Sequence, residues 1–150
     1  MNMRPVQVKW MGNSVLVIDD DLDICEIVGM ALSKKGFVVR TAVNGEEGIA
    51  IAHENMPDIV LLDNTLPDMD GKDVALRIKE TAGGKNTIIV MMTGKEAPKG
   101  EIDTTLYSGC LKKPFRLSDM VEYVEKISKA PGVAFDVAGT DHYYCPGHSF

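Results

Sequence analysis

The stretch Val15-Leu-Val-Ile-Asp-Asp-Asp21 decides the fold, because four apolar residues in a row end abruptly in three acids. Residues 59–62 (Ile-Val-Leu-Leu) repeat the pattern and end at Asp63. Unbroken apolar runs of this length are typical of strands covered on both faces, as in a parallel sheet between two layers of helices. The two runs therefore predict an α/β protein with acidic side chains where its strands end.

The rest of the chain alternates strand-like and helix-like segments around these two runs. Further strand-like runs cover residues 37–42, 87–92 and 109–111, and helical periodicity covers 21–35, 46–55, a segment from 70 and a segment from 118. Five strands joined by right-handed helical crossovers favour a flavodoxin-like (βα)5 three-layer sandwich, with a five-stranded parallel sheet of order 2-1-3-4-5. Residues 95–108 have weak periodicity and contain Pro98 and Gly100, so we expect a shortened or irregular fourth helix.

Length and composition fit a single domain. The chain has 150 residues, of which 45% are hydrophobic and 25% are charged, as in ordinary globular proteins. We expect an N-terminal extension over residues 1–13, the domain over 14–130 and a C-terminal tail over 131–150, where no hydrophobic period survives. A segment as short as this tail rarely folds alone, so we expect no attached output domain.

Charge and cysteine content narrow the range of partners and compartments. The net charge of −6 argues against the phosphate backbone of nucleic acid as the main partner. No apolar run approaches the roughly 18 residues that a membrane span needs, and the N-terminus lacks the apolar core of a signal peptide. The three cysteines, Cys25, Cys110 and Cys145, form no disulfide framework. We therefore expect a cytoplasmic protein without nucleic-acid binding or membrane insertion.

The tail contains one group of residue types that bind transition metals. His142, Cys145 and His148 have the spacing His-x₂-Cys-x₂-His. Structural zinc sites use four ligands, and no fourth ligand is visible in the sequence. We therefore favour a flexible or packed aromatic tail over a metal site.

Polar residues with complementary chemistry follow the predicted strands. They are, in chain order, Asp19 and Asp20, Asp63, Thr93 and Lys113. The carboxyl ends of parallel strands meet at one edge of the sheet, so these side chains are expected to converge. Clustered carboxylates repel one another unless a cation compensates, and oxygen ligands suit Mg²⁺. An aspartate held beside such a cation can attack phosphorus, so the pattern indicates an aspartyl-phosphate site.

Five short motifs, in order, carry a resemblance to a known family. They are Val15–Asp21, Asp58–Asp63, Leu66-Pro-Asp-Met-Asp-Gly71, Met91-Met-Thr-Gly94 and Lys112-Lys-Pro-Phe115. Together they resemble the CheY-like receiver domains of response regulators in two-component signalling, over residues 14–130. One such motif alone is weak evidence, but five at consistent spacings are specific.

The resemblance implies a role for each acid. Asp63 would accept a phosphoryl group from the phosphohistidine of a histidine kinase or of a histidine phosphotransfer protein. Asp20 would bind Mg²⁺ directly and Asp19 mostly through water. Asp63 itself and the backbone carbonyl of Thr65 would complete the protein ligands.

The resemblance also implies a phosphoryl-contacting pair and a switch. Thr93 and Lys113 would contact the phosphoryl group, and the peptide bond before Pro114 would be cis. The family often has Tyr or Phe where this chain has Cys110, so Thr93 and the small Cys110 would form the switch here in place of a threonine and an aromatic residue. Tyr107 is a candidate replacement for that aromatic residue.

These observations favour a stand-alone receiver that signals through protein contacts, is phosphorylated at Asp63 with Mg²⁺, and is not an enzyme in the ordinary sense. The sequence leaves homodimer formation open. A first alternative is a degenerate receiver that serves only as a binding module. A second is a haloacid-dehalogenase-type phosphatase, in which Asp19 of the Asp19-x-Asp21 motif would be the nucleophile.

Overall fold

A computed structural model of the chain describes residues 14–81, 83–94, 103, 105–129 and 143–144. The strands are β1 (Ser14–Ile18), β2 (Val38–Ala42), β3 (Ile59–Asp63), β4 (Ile88–Thr93), β5 (Gly109–Lys112) and β6 (Tyr143–Tyr144). The α-helices are α1 (Leu22–Ser33), α2 (Gly45–Asn55), α3 (Gly71–Lys79) and α4 (Leu117–Lys129), and a 3₁₀ turn covers Gly84–Asn86.

The sheet has the predicted topology plus one strand. Strands β1 to β5 are parallel in the order β2-β1-β3-β4-β5, which confirms the flavodoxin-like prediction. Strand β6 pairs antiparallel with the outer edge of β5 and was not predicted, since residues 131–150 show no period. Residues 105–108 form turns and bends, so the described part of the segment from 95 to 108 contains no helix.

Alternation of side chains along β1 divides the core into two clusters. Val15 and Val17 pack with α1 and α4 on one face of the sheet, and Leu16 and Ile18 pack with α2 and α3 on the other. Every residue of β3 and β4 is buried. Because both faces of these strands are covered, their sequences read as unbroken apolar runs.

Local signals set the helix boundaries. Asp21 precedes α1, and its side chain accepts hydrogen bonds from the backbone N–H groups of Asp23 and Ile24, as an N-cap residue should. Gly36, with a φ of 95°, closes the turn after the helix. Leu22 fits the apolar spacing of α1 but is 68% exposed, so the buried stripe begins only at Cys25.

None of the helices that the structure describes has the length and apolar character needed to cross a bilayer.

Candidate functional site

Four strand ends meet at one edge of the sheet. The register aligns Ile18 with Leu62, Asp63 with Met92 and Thr93 with Lys112. The residues that end or follow β1, β3, β4 and β5 therefore lie side by side, as the sequence predicted for the carboxyl ends of parallel strands. Their order across the site is Asp19, Asp63, Thr93 and Lys113.

Three carboxylates converge at this edge. Asp19, Asp20 and Asp63 each place one oxygen within 4.8 Å of the others. Asp19 is fully buried, Asp63 is 8% exposed and Asp20 faces solvent. Three negative charges this close repel one another, and two of them have lost much of their hydration. The cluster therefore favours a small hard cation, which can enter from solvent beside the exposed carboxylate of Asp20.

Lys113 supplies a positive charge from the opposite side of the site. Its Nζ lies 2.6 Å from Asp19 Oδ2 and 3.8 Å from Asp63 Oδ2. The other Asp19 oxygen, Oδ1, accepts a hydrogen bond of 2.9 Å from the backbone N–H of Asp21. Both oxygens of Asp19 are therefore engaged, which compensates the burial of its charge.

The backbone around Lys113 joins β5 to β4. The Lys113 N–H donates a 2.7 Å hydrogen bond to the carbonyl of Thr93. The Lys113–Pro114 peptide bond is cis, as the resemblance implied. Thr93 itself is buried at the end of β4.

The pKa of Asp63 is raised from an ordinary 3.8 to about 6. The main cause is burial of the carboxyl, and the second is the negative charge of Asp19. The charge of Lys113 and a hydrogen bond from the Thr65 N–H act in the opposite direction without cancelling the rise. A further cation among these carboxylates would favour the ionised form that a nucleophile needs.

The loop after β3 shapes the environment of Asp63. The Thr65 N–H donates a 3.3 Å hydrogen bond to Asp63 Oδ1, so the backbone of Thr65 faces the site through its nitrogen. The metal-binding role of the Thr65 carbonyl stays a prediction. A Cβ added to Gly71 would lie 2.8 Å from the Asp63 carbonyl oxygen and 3.0 Å from the Cα of Asn64. Glycine therefore lets the start of α3 press against the backbone of Asp63, a contact that the sequence motif did not explain.

Asp68 connects the loop after β3 to the start of α2 through two hydrogen bonds. Its Oδ1 accepts a 2.8 Å hydrogen bond from the Gly45 N–H, and its Oδ2 accepts one of 2.9 Å from the Glu46 N–H. These two hydrogen bonds lower the pKa of Asp68. Asp68 therefore caps α2, a helix that precedes it in the chain.

We expect Asp68→Asn to lower the melting temperature by a few degrees, because an amide caps the α2 N-terminus less well than a charged carboxylate. The lowered pKa means that the difference is present above the ordinary carboxylate pKa of 3.8 and is lost as the pH falls through the folded-state value. Thermal unfolding from pH 3 to pH 8 measures this. Asp70→Asn is the matched control, since Asp70 makes no side-chain capping bond to α3. Equal effects of the two substitutions at pH 7 would contradict the capping role.

Cys25, a buried residue of α1, contacts the backbone of Asp19. Its Sγ lies 3.2 Å from the carbonyl oxygen of Asp19, and the residue is 4% exposed. Burial, followed by the charge of Asp19, raises the pKa of the thiol to about 11, so the thiol stays neutral and donates a hydrogen bond to the carbonyl. The sequence gave no sign of this contact.

Cys110 and Tyr107 share the core cluster on the α2 and α3 side of the sheet. Cys110 is 1% exposed and Tyr107 is 4% exposed. The Tyr107 hydroxyl is buried and has no hydrogen-bond partner among the described residues, and burial raises its pKa to about 12. An aromatic ring thus lies in the same cluster as Cys110. The switch role of Thr93 and Cys110 stays a prediction, as does replacement by Tyr107.

The predicted ligand types in the tail, His142, Cys145 and His148, lie outside the described residues.

Comparison with known proteins assigns this arrangement to a family. A family profile for the response regulator receiver domain matches residues 15–125. The chain is 34% identical over 122 residues to the "Probable transcriptional regulatory protein TcrX" of Mycobacterium tuberculosis. The aligned residues cover 80% of this chain and 51% of that protein. It is 33% identical over 120 residues to the transcriptional regulatory protein SrrA of Staphylococcus aureus, covering 78% and 48%.

A solved structure agrees with the sequence relatives. The chemotaxis response regulator CheY4 of Vibrio cholerae superposes with a TM-score of 0.71 at 28% identity, over 76% of this chain and 97% of that one. The chain spans about half the length of the curated relatives that it matches. The profile match, the relatives and the shared fold show that the chain belongs to the response regulator receiver domain family.

Proposed function

We propose that this receiver is phosphorylated on Asp63 by the phosphohistidine of a histidine kinase or of a histidine phosphotransfer protein. The observation that carries the proposal is the convergence at one strand edge of three carboxylates within 4.8 Å and a lysine ammonium 3.8 Å from Asp63. Asp63 ends a fully buried strand, yet its carboxyl keeps some exposure to solvent. A donor can therefore reach it while the surroundings stay preorganised.

The proposed reaction exchanges one bond for another. An oxygen of the Asp63 carboxylate attacks phosphorus, the P–N bond to the donor imidazole breaks, and a P–O bond to Asp63 forms. The leaving imidazole nitrogen keeps the electron pair of the broken bond and takes up a proton. The negative charge on the transferred group is stabilised by positive charge that is already in place, chiefly Lys113.

The same residues fit a divalent cation, and Mg²⁺ is the ion that we propose. Asp19, Asp20 and Asp63 offer only hard oxygen donors, and their mutual repulsion is reduced by a cation. Asp20 and Asp63 would bind it directly, Asp19 mostly through water, and the carbonyl of Thr65 would complete the protein ligands. When bound, Mg²⁺ supplies positive charge that offsets the charge of an incoming phosphoryl group.

Two further residues have proposed roles toward the phosphoryl group. Lys113 stands between Asp19 and Asp63, so its ammonium can exchange the carboxylate contact at 3.8 Å for a phosphoryl oxygen. Thr93 ends the neighbouring strand and would present its hydroxyl to a second oxygen. The coupling of this contact to Cys110 or Tyr107 is part of the proposal.

The geometry argues against a phosphatase in which Asp19 is the nucleophile. Asp19 is fully buried, and its two oxygens are engaged by Lys113 and by the Asp21 N–H. An attacking carboxylate needs an oxygen that a substrate can approach, and among the acids of the site that condition fits Asp63 better. We propose a signalling module whose own chemistry is limited to gaining and losing its phosphoryl group.

The output of the receiver is proposed to pass through contacts with other proteins. The likeness to the chemotaxis regulator CheY4, at 28% identity over 97% of that chain, supports this proposal. The free, buried thiols of Cys25 and Cys110 fit the reducing environment of the cytoplasm, where we place the protein.

Phosphorylation in solution tests the proposal. The full chain is incubated with acetyl phosphate and Mg²⁺, and its intact mass is measured. We expect one phosphoryl group on the parent and on Asp73→Asn, a control that removes a carboxylate from α3, and none on Asp63→Asn. Omission of Mg²⁺ should suppress the modification. A phosphoryl group mapped to Asp19 would support the phosphatase, and an unmodified parent would support a degenerate receiver used for binding.

A further inference from the structure

The two outer strands of the parallel sheet have different edges. In β2 the exposed residues include Arg40 and Thr41, so a charged side chain interrupts the edge. In β5, Gly109, Cys110 and Leu111 are all buried, and no charge occurs before Lys112. Exposed strands without charge tend to pair with other chains, and proteins usually blunt or cover them. The β5 edge is therefore the one that needs a cover.

A strand from the tail supplies that cover in the structure. Tyr144 pairs with Cys110 and Tyr143 pairs with Leu111 in an antiparallel ladder. The ladder leaves Gly109 and Lys112 at the two ends of β5 outside its register. A strand of two residues has few backbone hydrogen bonds, and each contributes little net free energy. The backbone ladder therefore contributes little to holding the tail strand on its own chain.

The connection to the tail strand also permits exchange. Helix α4 ends at Lys129 and β6 begins at Tyr143, so residues 130–142 join them. Closing a connection of this length costs conformational entropy, which a ladder of two residues must offset. A tail from a second copy has the same sequence and can make the same pairs with β5. Exchange of tails between two copies therefore conserves every ladder contact, which is the condition for strand swapping.

We propose that the β5 edge is a strand-accepting surface whose intermolecular partner is the Tyr143–Tyr144 strand of a second copy. Reciprocal exchange gives a symmetric dimer, in which each tail covers the β5 edge of the other copy. The surface lies on the strand that leads directly into Lys113, but the dimer needs no phosphoryl group. Its test is therefore independent of phosphorylation at Asp63.

Sedimentation velocity on the full chain, under reducing conditions that prevent a disulfide through Cys145, is the first test. We expect the dimer fraction to rise with protein concentration, because pairing between copies competes with pairing inside one chain, whose effective concentration is on the order of 1 mM. The double variant Tyr143→Pro/Tyr144→Pro removes two backbone N–H groups from the ladder and should stay monomeric. Ser149→Pro, which alters the tail outside the strand, should behave like the parent.

A peptide in trans is the second test. A synthetic peptide of residues 139–148, with Cys145→Ser, is added to the double proline variant, and amide hydrogen exchange is measured at those β5 amides that face away from β4. We expect at least a tenfold slowing on peptide addition. A parent that stays monomeric at all concentrations means that the tail pairs only within its own chain, and this overturns the proposal. So does a dimer that persists in the double proline variant, or a peptide without effect on the β5 amides that face away from β4.

Discussion

Asp63→Asn is expected to stabilise the fold at neutral pH in the absence of divalent cations, even though it removes the proposed phosphoacceptor. The pKa of Asp63 is raised from 3.8 to about 6 in the folded chain, so above pH 6 folding must hold an ionised carboxylate that its surroundings disfavour. Removing that charge should raise the free energy of unfolding by about 2–3 kcal/mol, which is the equivalent of two pKa units. The asparagine keeps an oxygen for the hydrogen bond from Thr65.

The pH dependence has a definite sign. A carboxyl whose folded-state pKa is raised binds protons more tightly in the folded than in the unfolded chain, so the parent loses stability as the pH rises from about 4 to 6. The advantage of Asp63→Asn is therefore full above pH 7 and disappears below pH 4. Urea unfolding in EDTA across this range measures it. An advantage that is equal at pH 4 and pH 8 would show that ionisation of Asp63 is not its cause.

Added Mg²⁺ provides a control for the same variant. The ion should stabilise the parent by binding to its three carboxylates, and should stabilise Asp63→Asn less because one carboxylate is missing. The gap between the two proteins should therefore narrow as the Mg²⁺ concentration rises.

Gly109→Ala is expected to destabilise the domain by about 3 kcal/mol, near the upper end of the usual cost of overpacking a core. A Cβ at Gly109 would overlap the hydroxyl of Tyr123, which is fully buried on α4. The aromatic ring is held between α4 and the sheet and cannot swing away as a flexible chain could. The absence of a side chain at Gly109 therefore leaves room for the Tyr123 hydroxyl between β5 and α4.

Two variants separate overlap from a general intolerance of alanine. Adding Tyr123→Phe to Gly109→Ala removes the overlapping oxygen and leaves the ring carbon Cζ at 3.0 Å as the nearest ring atom, so we expect it to recover about half of the lost stability. Gly29→Ala in α1 should stabilise by up to about 1 kcal/mol, because its Cβ would meet only Val39 Cγ1 at 3.6 Å and alanine favours helix. Urea unfolding of the four proteins measures this. No recovery in the double variant would refute the overlap.

Much of the fold follows from the sequence because the decisive strands are covered on both faces. Such strands appear as unbroken apolar runs, and the polar residues that end them mark one edge of the sheet. Asp19, Asp63 and Lys113 are among these polar residues, and the structure places them within hydrogen-bonding or ion-pair range.

The features that the sequence did not reveal depend on contacts between distant residues. Strand β6 is two residues long and exists only against β5, so it leaves no periodic pattern. The hydrogen bonds that Asp68 accepts from the start of α2 join residues more than twenty positions apart. Leu22 fits the helical spacing, but spacing identifies a face and not whether a neighbouring layer reaches the first turn. Only the packed structure shows whether a neighbouring layer covers a given turn of a helix.

The hydrogen bond from the Cys25 thiol to the Asp19 carbonyl makes the site readable by infrared spectroscopy. The S–H stretching vibration absorbs in a spectral window that other protein groups leave empty, and its frequency falls as the bond to its acceptor strengthens. Because Asp19 supplies both that carbonyl and a carboxylate of the acidic cluster, a ligand that displaces Asp19 also displaces the Cys25 band. The thiol of Cys110, on the other face of the sheet, gives an internal reference. The S–H band of Cys25 can therefore report, without an added label, whether a ligand is bound at the acidic cluster.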